Sequence, residues 1–169
     1  MVGTTLGGMP RIEATIEVRV SAADAFAVSQ SRGEVRYSWD PFLVEQHLME
    51  GAERPGKGVK TFSRSKHRLT MASEYTSFRP PNQVGMKMVE GPPFFSSFGG
   101  GWAFKELEQE RTLATWRYTF TVKPAALSAI GDPIGEWMLG RDIEQRLAGF
   151  ATGCNNPDLV AKARAQLGI

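Results

Sequence analysis

Residues 99–122 read GGGWAFKELEQERTLATWRYTFTV. Its second half alternates: Ala114, Trp116, Tyr118, Phe120 and Val122 fall on one face, and Thr115, Arg117, Thr119 and Thr121 on the other. That is the period of a strand with one buried side, and the aromatic side is the one expected to look inward. Upstream, Gly99–Leu107 forms another strand candidate, and EQER joins the two by a connection short enough to favour antiparallel neighbours. Working back, Val44–Met49, Gly58–Lys66, Leu69–Phe78 and Gln83–Glu90 read as further strands, separated by turn-forming stretches such as RPGKG and RPPN. A long meander thus runs from Trp39 to Val122. Beyond it, Asp132 and Pro133 supply an N-cap and a first-turn proline for a helix expected to reach about Gly153.

Before the meander, RIEATIEVRV (11–20) places Ile12, Ala14, Ile16, Val18 and Val20 opposite Glu13, Thr15, Glu17 and Arg19, a strand with one wet face. Ser21, with Asp24 three positions on, is an N-cap for a helix over about Ala22–Gln30. A second short helix, Glu34–Ser38, is expected to stop at Trp39-Asp40-Pro41, where the proline ring disfavours helical geometry at Asp40. The pattern divides the chain into a flexible tail (1–10), one domain (11–153) and a C-terminal tail (154–169), in which Leu159, Ala163 and Leu167 fit a short amphipathic helix docked on the body or on a second subunit.

On the main helix the apolar positions form two stripes. Ile134, Trp137, Met138 and Ala148 lie on one, and Leu139, Ile143, Leu147 and Phe150 lie nearly opposite. Either both sides are covered, or the early turns face a cavity while later turns pack on the sheet.

Composition excludes several classes. With 169 residues and 41% hydrophobic content the chain suits one core, and Lys+Arg 20 against Asp+Glu 18 gives +2, a surplus too small for a nucleic-acid-binding face. The lone Cys154 excludes an internal disulfide and a cysteine zinc cluster and suits a reducing, cytoplasmic setting. MVGTTLGGMP lacks a signal-peptide pattern, and no apolar run approaches the ~20 residues needed to span a bilayer, so a soluble protein is expected.

Taken in order, the first strand leading into SAADAFAV, WDPF (39–42), EYTSFRPP (74–81), GGGWAFKEL (99–107), RTLATWRYTFTV (111–122) and the RDIEQRLAGF of the last helix make the chain resemble the polyketide cyclase/dehydrase and lipid-transport family of the START-like (SRPBCC) superfamily, over about residues 11–152. The resemblance implies an α+β helix-grip fold, akin to the birch-pollen allergen: a seven-stranded antiparallel sheet wrapped around a long C-terminal helix, with two short helices after strand 1. It also implies a cavity between sheet and helix for lipids, polyketides or other apolar molecules. The family has no universal catalytic motif to carry over.

Candidate cavity residues are Trp39, Phe42, Tyr75, Met86, Met88, Trp102, Trp116, Tyr118, Trp137, Met138 and Arg141. Aromatic walls suit a small-molecule site, although aromatics at strand spacing also simply pack, and methionine adapts to varied outlines or fills gaps. Pro92, Pro93, Phe94 and Phe95, in GPPFFSSFGGGW (91–102), read either as a mouth-guarding loop or as a hairpin with a glycine bulge; the glycines lack a phosphate loop's GK[ST] ending. Arg141, on the Trp137 stripe, is a candidate anchor for a ligand carboxylate, enolate or phenolate, or a surface cation whose stem covers apolar area. Tyr75 and Tyr118 complete the catalytic candidates. Glu74 and Lys87 suit a cross-strand pair on the wet face. His47 and His67 lack metal-site spacing, and neither a GxSxG elbow nor HExxH occurs, so no metal or cofactor is expected.

Three functions fit: a binder of a hydrophobic small molecule, a metal-independent polyketide cyclase/aromatase or dehydratase, or an accessory subunit that engages a protein through Phe94, Phe95 and the tail, with a homodimer among its forms. Nucleic acid and integral membrane association are not expected.

Overall fold

The computed structural model describes residues 11–123 and 128–169, and within 128–138 the backbone alone. The tail expected over 1–10 and the side chains of Ile134, Trp137 and Met138 lie outside the described residues.

Seven strands form one antiparallel sheet: β1 (Arg11–Val18), β2 (Leu43–Leu48), β3 (Lys60–Ser65), β4 (Thr70–Arg79), β5 (Gln83–Glu90), β6 (Phe95–Glu108) and β7 (Arg111–Val122), in the order β1-β7-β6-β5-β4-β3-β2. The first strand pairs with the last, Ile12 opposite Tyr118 and Ile16 opposite Ala114. β1 and β2 are therefore the two edges, and the helices α1 (Ala22–Ser29) and α2 (Glu34–Tyr37) carry the chain between them. The N-cap of α1 is as expected: Ser21 Oγ accepts from the Asp24 amide at 3.2 Å and donates to its carboxylate at 2.9 Å. The buried face of α1 sets Phe26 edge-on to Phe78 and Phe104.

The faces of β7 separate as the alternation requires, with Ala114, Trp116, Tyr118 and Phe120 buried. Glu74 stands opposite Lys87 on β4 and β5, 3.7 Å apart. β6 departs from expectation. It starts at Phe95, four residues before Gly99, because pairing to β7 continues past the glycines, Phe98 to Phe120 and Phe95 to Val122. The glycines thus lie inside a strand, and the irregularity falls between Phe95 and Ser97. They are where neighbouring backbones come closest: a Cβ on Gly101 would meet the Val84 carbonyl oxygen at 2.0 Å, and one on Gly100 the Arg117 carbonyl oxygen at 2.4 Å. Glycine at such points lets a sheet curl.

α3 spans Ser128–Cys154, starting one turn before the Asp132-Pro133 boundary and ending on Cys154, which is a buried last-turn residue rather than part of a turn beyond the helix. From residue 139 onward a single stripe faces inward, Leu139 half-buried and Ile143, Leu147 and Phe150 fully so, while Ala148 is exposed. This stripe packs on β1 and β7. α4 (Pro157–Leu167), capped by Asn156, docks on α1 of the same chain through buried Leu159 and Ala163. Its hydrogen bonds to the body run from the Arg32 amide to Gln166 Oε1 (2.8 Å) and from Arg164 to Asp24 (2.9 Å).

α3 touches the Trp39 segment so closely that a Cβ on Gly149 would lie 1.9 Å from the Trp39 carbonyl oxygen, whereas one on Gly140 meets nothing within 4 Å. Gly149→Ala should therefore destabilise the fold by roughly 1–3 kcal/mol through overpacking. Gly140→Ala should stabilise it by about 0.5–1 kcal/mol through helix propensity. Urea unfolding of both variants checks the opposite signs.

Candidate functional site

Among the described residues α3 packs on β1 and β7, and a cavity of about 360 Å³ lies against the concave face of the other strands. That falls near the small end of the ~300–1,000 Å³ usual for small-molecule sites. Its apolar wall is a run of rings in contact: Tyr118 to Phe98 (centroids 5.2 Å apart), Phe98 to Phe95 (5.1 Å) and Phe95 to Phe94 (4.6 Å). Phe94 is exposed, so the run ends at the mouth. Met71, Met86 and Met88 complete this side. A recess of about 550 Å³ on the outer face, over Gly99 and Gly101 between Lys87 and Arg117, is open and follows from the missing side chains of those glycines.

At the inner end lies a buried ionic cluster. The Asp40-Pro41 turn holds the Asp40 carboxylate inward, with its Oδ1 accepting from the Phe42 amide at 3.1 Å. Arg36 of α2 donates to it from Nε (2.8 Å), with Nη2 2.8 Å away, and Arg146 of α3 from Nε (3.0 Å) and Nη2 (2.7 Å). Arg36 Nη1 donates to the Ser29 carbonyl and Arg146 Nη1 to the Tyr118 hydroxyl, each at 2.5 Å. Rings shield the charges: Arg36 lies 4.2 Å over Trp39, and Arg146 lies 4.2 Å over Trp116 and 4.7 Å over Phe42. Tyr75 donates to Gln30 Oε1 at 3.3 Å nearby.

Burial alone would raise the Asp40 carboxyl, but Arg146 and then Arg36 outweigh it and hold it at about 2. Burial pushes the Tyr75 phenol up to about 12 and the Tyr118 phenol above its ordinary value, the latter against the opposing pull of Arg146. Both phenols are protonated donors at neutral pH, and Asp40 is an acceptor already committed. Burial likewise raises the Cys154 thiol, which lies apart from the cavity and is un-ionised.

Of the residues expected at the site, Phe42, Tyr75, Met86, Met88, Trp102, Trp116 and Tyr118 line the cavity, as do Pro92, Phe94 and Phe95 at its mouth. Pro93 is exposed and does not line it. Trp39 is packed behind the cluster, donating to Ser31 Oγ at 2.9 Å. Arg141 is exposed on α3, away from the lining. The mouth loop is shorter than 91–102, since strand begins at Phe95. His67 is an exposed residue of the rim, and His47 stacks on Phe62 at the surface. Arg36, Asp40 and Arg146 were absent from the expected set. Arg146 carries a legible signal, standing three residues from Ile143 and four from Phe150 on the inward stripe.

A family model described as polyketide cyclase / dehydrase and lipid transport matches residues 9–154. The fold is similar to that of a START superfamily protein from Mycobacterium smegmatis (15% identity, covering 86% of this chain and 97% of that one, TM-score 0.70). It is also similar to XoxI from Bacillus cereus (14%, 89% and 99%, 0.71) and to the Zhui aromatase/cyclase from Streptomyces sp. R1128 (18%, 95% and 96%, 0.66). No curated protein matches the chain.

Asp40→Asn would leave two buried guanidiniums without a counter-charge, and should cost roughly 3–5 kcal/mol in urea unfolding at neutral pH. The folded-state value of about 2 lies below the ordinary 3.8, so the carboxylate's contribution is present above the ordinary value and lost as pH falls through about 2. This predicts an acid limb worth about 2 kcal/mol in the wild type that the variant lacks. Equal stabilities at neutral pH would mean the cluster anchors nothing.

Proposed function

The chain belongs to the polyketide cyclase / dehydrase and lipid transport family, and on that premise we propose that it is a binding protein for a hydrophobic small molecule held between the sheet and α3. The observation that carries the reading is the cavity itself, open past Phe94 and walled by rings and methionines. Ligand apolar surface buried there contributes about 25 cal/mol per Å², so some 200 Å² supplies about 5 kcal/mol. The polar end orients the guest, because it offers N–H and O–H donors on a rigid frame.

Binding is favoured over proton-transfer catalysis by the state of the titratable groups. Asp40 is engaged by two guanidiniums, both lining phenols are held protonated, and His67 lies at the exposed rim. None of these is a free base inside the cavity, and acid–base catalysis needs one within reach of substrate; Asp142, half-buried on α3, is the other carboxylate of the described lining. The second reading, an aromatase/cyclase-like enzyme, draws on the Tyr118 hydroxyl held by Arg146 beside the cavity and on the likeness to the Streptomyces protein. There the cavity folds a polyketide-like chain and Tyr118 donates to an enolate oxygen as charge develops.

Two measurements test the first reading. Native mass spectrometry of freshly purified protein should show a bound small molecule, and stripped protein should enhance Nile red fluorescence. Met86→Trp, which fills the cavity, should abolish the enhancement while circular dichroism stays native. No bound molecule together with unaltered dye binding in the filled variant would remove the proposal. For the enzyme reading, a linear poly-β-keto substrate should give a cyclised product whose yield falls in Tyr118→Phe; an unchanged product profile would dismiss that role.

A further inference from the structure

We propose that the guest is an acid, carrying one ionised carboxylate seated against Arg36, Arg146 and Tyr118 and one apolar body lying along the rings toward Phe94. This rests on the reading that the cavity binds a small molecule, and adds the chemical class of what it takes.

Charge balance is the first argument. Arg36, Asp40 and Arg146 are all buried, with side-chain exposures of 6%, 0% and 8%, and sum to one positive charge. Two further charged residues of the lining, Arg32 and Asp142, are of opposite sign, so the sum over the described lining residues of the inner wall stays at one positive charge. Of the remaining charged or titratable lining residues, Lys87 is exposed and paired with Glu74, and His67 stands at the exposed rim. A net charge out of water is costly unless a partner meets it. A singly charged anion in the cavity supplies the missing partner, and a neutral guest does not.

Hydrogen-bond balance points the same way. A guanidinium has five N–H groups. Arg36 spends two, on Asp40 and on Ser29, with Nη2 in ion-pair contact with Asp40; Arg146 spends three, on Asp40 twice and on Tyr118, so at least two remain on each. Tyr118 accepts from Arg146, so its own proton is left to give. Arg32 Nη1 is buried without an acceptor. Among the described residues the inner wall is rich in donors, and its fully buried carboxylate, Asp40, is saturated, leaving half-buried Asp142 as the other charged acceptor of the lining. Gln46 Oε1, a buried acceptor without a donor, is neutral and does not alter the charge balance. A carboxylate brings two acceptor oxygens and one charge, which match both deficits. The volume suits one chain or one compact ring system rather than a two-chain lipid.

The test displaces Nile red from the full-length protein with dodecanoate, 1-dodecanol and methyl dodecanoate at about pH 8, where the acid is ionised. Dodecanoate should compete roughly ten-fold or more tightly than the alcohol or the ester. Arg146→Gln leaves Arg36 and Asp40 as a neutral pair, and should bring the acid-to-alcohol ratio to about one. Tyr118→Phe, which keeps the ring and removes a single donor, should lower the ratio several-fold and serves should Arg146→Gln not fold. An alcohol or ester that competes as tightly as the acid would overturn the inference, as would an acid preference that survives Arg146→Gln or, where that variant does not fold, one left undiminished by Tyr118→Phe. If Nile red binds and dodecanoate fails to displace it, the inference falls while the binding reading stands. If Nile red itself does not bind, both fall.

Discussion

One carboxylate shared by two guanidiniums organises this molecule. Asp40 lies in the turn before β2, Arg36 one turn earlier on α2 and Arg146 far along the chain on α3, so a local pair and a distant helix meet at one pair of oxygens. Arg146 then reaches Tyr118 on β7, tying the helix to the sheet. Desolvating three charges is expensive, and the hydrogen bonds and ion pairs among them offset it in part. Few placements of α3 satisfy all of these bonds together, so the cluster fixes the helix against the sheet more sharply than apolar contact would. Trp39, Trp116 and Phe42 keep water from the charges and strengthen their attraction.

The vacancy follows from how the sheet curls and where α3 is pinned. The inward stripe of α3 covers β1 and β7, while α1 and α2 bridge the two sheet edges. Among the described residues, much of the concave surface of the middle strands is left to side chains alone. In the middle of β6, Gly100 takes an inward place between Met86 and Tyr118 and contributes no side chain. The residue that permits the bend thus leaves room inside it, and larger rings at Trp102 and Phe98 wall the space without filling it.

Strand order and both short helices were legible because each had a local cause: strict alternation at 114–122, a cap at Ser21, a proline stop at Pro41. The stretch before the glycines misled, because FSSF (95–98) reads as a loop or hairpin until its partners on β7 are known. The ionic cluster was the least legible part. Asp40 resembled a turn residue and Arg36 a helix-end cation, and each is that locally as well. Their meeting with Arg146 depends on α3 crossing the turn, a contact made possible by Gly149 and Gly153 against Trp39, which no local rule announces. Arg146 alone had a signal, a charge on an apolar stripe, whereas attention to the opposite stripe led to the exposed Arg141.

The chemistry open to such a cavity is set by what its polar groups can still do. Phenols raised by burial and arginines that never deprotonate can give hydrogen bonds and cannot take protons. Asp40, the natural base, is held near 2 by its neighbours, and freeing it would strand two cations. A wall of this kind stabilises negative charge wherever it arises, on a resting carboxylate or on an enolate formed in passing. The two differ in timing alone: for a carrier the charge is permanent and retained, for an enzyme transient and released. An oriented donor set whose buried carboxylate is saturated serves the first without addition. The second requires a base as well, from Asp142 of the lining, from the guest itself or from solvent, and the ring-lined interior restricts solvent to the mouth.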